Sequence, residues 1–349
     1  MRARRGFSLL EMLVALAIGL FVVAALYNLF SQQVRAFVYQ DLQMEMHQNG
    51  RLGMDVLTRT ARLAGLGTNG ATTGALGAGG AVASELPAVI AYNGTGPNGS
   101  DAITLVSMDP ALMVNTNESS PPSCTGTQLT VNPRTLNQGA RLAQLSAGEL
   151  LLCYDYARIG DFRSFLFEIT AVNASTGIIS VQSNTGLTDF DAICAADENL
   201  PIVMTCSRGE VVTYYVDADD SDGVGAGSAD HPVLMMDLDF ESPDVDDVPV
   251  VDNVEDLQIE YCLKASAGST DCADASAWVD TLTAAEVEDL YMIRFSLVMR
   301  SSRPDPIRVH TENRPALADN PASTVDDHWF RQVISSEVTV RNMRIQSLL

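Results

Sequence analysis

The stretch that most constrains this chain is residues 7–30, an apolar run from Phe7 to Phe30 broken by one formal charge, Glu11. As a helix rising ~1.5 Å per residue it would span about 36 Å, enough for a hydrocarbon core of about 30 Å. Arg2, Arg4, Arg5 and Gly6 stand immediately before it. The arginines hold the N-terminus in the cytoplasm and place the bulk of the chain outside. A carboxylate near mid-membrane costs roughly 2.5–3.5 kcal/mol, so Glu11 is read as a functional residue that needs a compensating cation.

Gly6-Phe7-Ser8-Leu9-Leu10-Glu11 resembles the processing signature of type IV prepilins, with basic leader, Gly, aromatic, Glu and apolar run all in register. The resemblance implies that a prepilin peptidase cuts between Gly6 and Phe7 and methylates the new amine on Phe7. It also implies that Glu11 meets the N-terminal amine of a neighbouring subunit, which makes the costly charge an assembly device. Gly6 suits the cut, because a residue without a side chain lets the backbone enter a tight protease site. A secretory signal peptide is the competing reading. Val23-Ala24-Ala25 offers a small-residue cleavage site, which would release a secreted binding protein or hydrolase beginning at Leu26. Glu11 argues against it, since a charge early in the apolar region brings no benefit there. A plain membrane anchor is the second alternative.

The charge is unevenly spread. The chain of 349 residues has a formal net charge of −23, yet residues 1–62 hold seven Arg against four acids. Residues 63–349 therefore hold 14 basic residues (21 less 7) and 40 acidic ones (44 less 4), a net −26. Such a surface cannot neutralise phosphates, so no nucleic-acid partner is expected. The six cysteines, Cys124, Cys153, Cys194, Cys206, Cys262 and Cys272, all follow the anchor. In an oxidising compartment they read as disulfides. Short loops favour Cys194–Cys206 and Cys262–Cys272, which leaves Cys124 with Cys153.

Beyond the apolar run the helix turns amphipathic. Val34, Val38, Leu42 and Met46 fall at four-residue steps, and Leu52, Val56 and Leu63 extend the stripe. No proline occurs before Pro87, while Gly50 and Gly53 are candidates for a bend or a local break. Gly65-Leu-Gly-Thr-Asn-Gly70 matches the letters of a dinucleotide fingerprint, but it follows a helix and opens no βαβ unit, so it reads as a loop. From about residue 86 the pattern is β, with strands expected at 102–107, 128–131, 149–156, 164–172, 177–182, 210–216, 233–239, 254–261, 291–300 and 333–341. One later helix is expected at 280–290, with Thr283 and Glu286 at capping-box spacing. Segments 110–125 and 217–232 read as long loops.

The segments 55–65, 251–261, 292–300 and 330–342 are similar to blocks of the PilW family of type IV pilus minor pilins. Related type II secretion pseudopilins share such blocks, so a pseudopilin remains an alternative. The expected fold is α+β. A long helix, transmembrane and then amphipathic, packs on an antiparallel β-sheet head of the pilin type. Residues 1–6 would be leader, 7–64 helix with its transmembrane part at 7–30, and 65–349 a periplasmic head on an inner-membrane anchor. The implied partners are other major and minor pilins, the prepilin peptidase and the assembly platform; the implied destination is the pilus fibre.

Chemistry is sparse. Asp217-Ala-Asp-Asp-Ser-Asp-Gly223 resembles a calcium loop, with Asp220 and Asp222 as ligands if Gly223 is the turn residue. The first ligand position is then Ala218, and no closing bidentate Glu follows, so a solvated acidic turn is the competing reading. His47, His231, His310 and His328 are far apart and make no paired metal spacing. Trp278 and Trp329 read as core. No GxSxG elbow occurs, and neither an enzyme nor a cofactor is expected.

Overall fold

The computed structural model describes residues 9–68, 71–72, 86–116, 128–134, 137–155, 163–182, 204–218, 227–228, 231–238, 247–264, 272, 277–305, 311–324 and 326–340. One helix, α1 (Leu9–Leu63), runs for 55 residues. No proline interrupts it, and Arg62 in its last turn complements the negative end of the helix dipole. Gly65, at φ +79°, takes the left-handed conformation that ends the helix, and its N–H donates to the carbonyl of Val106 at 2.9 Å. The turn over residues 64–68 is thus a helix exit, and the described part of the glycine motif, residues 65–68, lies in it.

The chain divides into two compact units, residues 1–48 and residues 49–349. The described part of the first is helix alone. The second is the head, and it includes the last turns of α1. After the helix come β1 (Ala71–Thr72), β2 (Leu86–Pro87), β3 (Val89–Tyr92), β4 (Ala102–Met108), β5 (Val114–Asn115) and β6 (Gln128–Thr130). A one-turn helix, α2 (Gln138–Leu142), leads to β7 (Leu150–Asp155), β8 (Arg163–Asn173), β9 (Ile178–Gln182) and β10 (Met204–Asp217). Then follow β11 (Val233–Asp237), β12 (Val248–Asp252), β13 (Val254–Leu263), β14 (Trp278–Val279), β15 (Leu290–Arg300) and β16 (Arg331–Thr339).

Among the described residues the strands form a ten-stranded sheet, a four-stranded sheet and the small β1–β2 pair, all antiparallel. The spine of the large sheet is β10, whose 14 residues pair with β7 and β11 along one flank and with β4 and β5 along the other. The small sheet runs β14-β13-β15-β16. A single left-handed residue, Asn253 at φ +61°, turns β12 of the large sheet into β13 of the small one. Asp101 stitches the two sheets again. Its N–H donates to the Leu257 carbonyl at 2.8 Å, while its carboxylate accepts from the N–H groups of Ile259 and Gly94, each at 2.8 Å.

The last turns of α1 bury Gly50, Gly53, Met54, Leu57, Thr58 and Ala61, a face with helical spacing. This face differs from the expected stripe: Leu52 is 54 % exposed, and Val56 and Leu63 are only half-buried. The reason is size. A Cβ at Gly53 would lie 3.1 Å from Leu297 Cδ1 and 3.4 Å from Val251 Cγ2, and a Cβ at Gly50 would collide with Ile334 Cδ1. The two glycines therefore neither bend nor break the helix. They let its backbone come down onto β15 and β16 of the small sheet and β12 of the large one. About two turns after Gly53, Thr60 Oγ1 and the Tyr214 hydroxyl share a hydrogen bond at 2.8 Å, which ties the helix to β10.

Two further expectations change. Residues 280–290 hold a short 3-10 turn, Ala284–Asp289, rather than an α-helix, although the Thr283/Glu286 capping box forms as read. Cys262 pairs with Cys272 as expected, but Cys206 bonds Cys153 (S–S 2.06 Å), so neither Cys194–Cys206 nor Cys124–Cys153 forms. Sequence proximity is a weak guide here, because each doubling of a loop costs only about 0.6 kcal/mol. Register decides instead: Cys206 on β10 stands directly opposite Cys153 on β7, with Cα atoms 4.0 Å apart. Cys124 and Cys194 lie outside the described residues.

Gly53→Leu should destabilise the head by about 1–3 kcal/mol through overpacking against Leu297 and Val251. Thermal unfolding in detergent would show this as a lowered midpoint, and an unchanged midpoint would contradict the close approach.

Candidate functional site

The first candidate is the stem. Leu9, Leu10, Met12, Leu13, Leu16, Ile18, Leu20, Phe21 and Tyr27 are each 59 % exposed or more, and the exposure continues through Phe30, Val34 and Phe37. This helix is long and apolar enough to cross a membrane. Glu11 sits in its first turn, where the helix dipole favours a carboxylate. An exposed apolar cylinder of this length must be covered, by lipid or by other helices, because the hydrophobic effect costs ~25 cal/mol for each Å² left in water. Gly6 and Phe7 lie outside the described residues.

The head offers buried polar clusters that sequence reading did not find. Asp256 is fully buried on β13, where its Oδ2 accepts from Arg314 Nη1 at 2.6 Å and from Asn320 Nδ2 at 3.0 Å. Gln258 Nε2 donates to the other oxygen, Oδ1, at 2.9 Å. Asn320 Nδ2 and Gln258 Nε2 also reach the backbone carbonyls at Asn98 and Gly99. The cluster therefore fastens the 311–324 segment and the turn before β4 to β13. A second cluster centres on Arg331, which donates bidentately to Glu255 (2.6 and 2.9 Å) and to Asp327 (both 2.6 Å). Burial, the largest single effect, pulls the Asp327 carboxyl upward, yet the bonds from Arg331 and the Trp329 N–H, with the charges of Arg331 and Arg300, together hold the group below its ordinary range. A third element is a ladder across the small sheet, Glu260–Arg294–Glu337, with the Arg294 guanidinium stacked 3.9 Å over the ring of Trp278.

These clusters join loops to strands and have the character of fasteners. The cleft of about 360 Å³ between the sheets is lined by Pro97, Asn98, Ala218, Pro232, Glu255 and Arg300. Its one carboxylate, Glu255, is already held by Arg331, and its cation, Arg300, stacks 4.2 Å over Trp329. The two tryptophans thus pack against arginines. His231 Nε2 lies 3.3 Å from Asp252 Oδ1, both substantially exposed, and the His328 carbonyl accepts from the Asp305 N–H. Among the described residues no group of three or more His, Cys, Asp or Glu side chains could hold a metal ion. Asp220, Asp222 and His310 lie outside the described residues. At the start of the calcium-like stretch, Asp217 Oδ2 accepts from the Gly227 N–H at 2.8 Å.

Residues 213–342 match the family described as Type IV Pilus-assembly protein W, and residues 1–27 match the prokaryotic N-terminal methylation motif. No curated protein matches the chain. A solved type IV-like pilin from Thermus thermophilus overlays at 13 % identity over 56 % of this chain and 87 % of that one, with a TM-score of 0.22. The methylation motif at the head of a long apolar helix, followed by an antiparallel β head, defines a type IV pilin-like protein. The span similar to the pilus-assembly protein W family runs from within β10 past the end of β16 and so takes in the whole small sheet. The blocks 251–261, 292–300 and 330–342 fall inside that span, whereas 55–65 falls outside both matched spans.

Asp101 gives the head a pH dependence of known sign. Burial is the largest effect and, with Asp319 and Asp256 nearby, pushes its carboxyl up to about 6 despite the two backbone donors. A folded-state pKa above the unfolded value means that folding takes up a proton. The contribution is fully present below about pH 4 and is lost as pH rises through about 6. Denaturant titrations of parent and Asp101→Asn across pH 4–7 should differ in how stability changes with pH, the parent losing about 1–3 kcal/mol more than the variant. Parallel slopes would contradict the burial of this carboxylate.

Proposed function

We propose that this protein is a minor pilin of the type IV pilus. It is made with a six-residue leader, residues 1–6, and sits in the inner membrane through residues 7–30 with its head in the periplasm. Prepilin peptidase cuts between Gly6 and Phe7 and methylates Phe7. The assembly platform then lifts the stem out of the bilayer into a bundle of pilin stems, where it helps to prime or cap the fibre used in adhesion and twitching motility.

The observation that carries this reading is the exposed apolar helix with Glu11 in its first turn, beneath a matched methylation motif. Extraction from lipid into a bundle exchanges one set of apolar contacts for another, so van der Waals packing and polar contacts decide the preference. A buried carboxylate paired with a neighbour's N-terminal amine supplies such a contact and fixes register along the bundle. The role is structural and needs neither catalytic group nor cofactor. Calcium at Asp220 and Asp222 would be an accessory to the head and no part of assembly.

Glu11→Ala should leave membrane insertion unchanged, since it removes a charge costing roughly 2.5–3.5 kcal/mol in lipid. Incorporation into sheared fibres should fall at least about tenfold, the loss expected from one ion pair worth roughly 1.4 kcal/mol or more. Immunoblots of membrane and fibre fractions measure both, and normal fibre incorporation of the variant would refute the docking role.

A further inference from the structure

The edges of the two sheets are protected unequally. On the large sheet, β12 ends the order but carries Pro249 and faces a register shift between Leu234 and Met235. Its other edges, β3 and β6, have four and three residues. On the small sheet β14 has two residues. The exception is β16. It has nine residues, no proline and an unbroken register with β15 from Met292↔Thr339 to Arg300↔Arg331. Among the described residues no strand lies on its other side. Long, straight, proline-free edges are templates for another strand.

The direction of the free groups follows from one bond. The Val340 N–H donates to the Tyr291 carbonyl at 3.0 Å, so even-numbered residues of β16 turn their N–H and C=O toward β15. Odd-numbered residues turn theirs away. At the start of the strand the outward N–H of Arg331 is taken by Glu312 Oε2 at 3.2 Å. Val333, Ser335, Glu337 and Thr339 then form the run that points off the sheet.

We propose that β16 is a docking edge for an extended strand of a different protein, which adds antiparallel or parallel to the small sheet by main-chain hydrogen bonding. Charge selects the partner. Two copies of this head, each with a net −26 over residues 63–349, repel one another when joined edge to edge. Glu337, the acid on the outward run, accepts from Arg294 through Oε1 and still has a side chain 47 % exposed, and Val333 is 40 % exposed. A strand with Lys or Arg across from Glu337 and a β-branched residue across from Val333 therefore fits. This edge is separate from the stem, so the inference does not require the proposed role in the fibre.

The test uses the full chain in detergent micelles and a synthetic nine-residue peptide of alternating Thr and Val with one Lys placed to meet Glu337. Amide hydrogen exchange is followed at single residues. In the protein alone, Val333, Ser335, Glu337 and Thr339 should exchange at least ten times faster than Ile334 and Ser336. Millimolar peptide should slow those four at least tenfold. The same peptide N-methylated along its bonding edge should not, and Val333→Pro, which removes an outward N–H only, should abolish the effect at an unchanged melting temperature. Protection of the four amides in the protein alone at low concentration would overturn the proposal, because the chain would then cover its own edge. Protection that grows with protein concentration would overturn it in favour of a second copy, and a peptide without effect would end it.

Discussion

The approach of a helix backbone to two sheets at Gly50 and Gly53 is the contact on which the rest of the head depends. Leu297, Met299 and Ile334 of the small sheet and Leu234 and Val251 of the large one all meet there. A larger residue at either glycine would lift the helix and open the seam between the sheets. The same helix carries both jobs of the chain: its last turns are core, and its first turns are the exposed apolar stem. α1 is one helical element from Leu9 to Leu63.

Around that seam, polar fasteners do what a larger apolar core would otherwise do. Asp101 joins the sheets through two backbone N–H groups and its own amide. Asp256 with Arg314, and Arg331 with Glu255 and Asp327, pin long segments that contain little regular structure. Such pairs are weak evidence for net stability, since desolvation offsets much of the attraction. Their worth lies in specificity, because removal of one partner leaves a charge stranded under the loop. The head is strongly acidic, and Arg294, Arg300, Arg314 and Arg331 around the small sheet are engaged by carboxylates or aromatic rings.

The stem was fully legible in the sequence, because a long apolar run with one acid admits few structures. Most central strands were legible too: 102–107, 164–172, 254–261 and 291–300 fall on β4, β8, β13 and β15 with ends shifted by a residue or two. What escaped depends on pairings between distant residues. The helix face could not be read from apolar letters, since its contacts run through glycine and alanine while Leu52 points outward. Cys153 meets Cys206 only because β7 pairs with β10, 53 residues on. The Asp256–Arg314 pair spans 58 residues. A signal for it did exist, in the two acids, Glu255 and Asp256, between Val254 and Leu257 of a strand whose apolar residues are core. Short edge strands such as β3 and β12 lack the length that makes alternation visible.

The central claim is that the apolar stem stays joined to the head in the mature protein and begins at a processed Phe7. Intact-mass and N-terminal peptide mass spectrometry of protein purified from its own cells tests this directly. The account predicts a chain that starts at N-methylated Phe7 and retains everything from Leu9 to the head. A mature chain starting at Leu26, shorn of its stem, would contradict it.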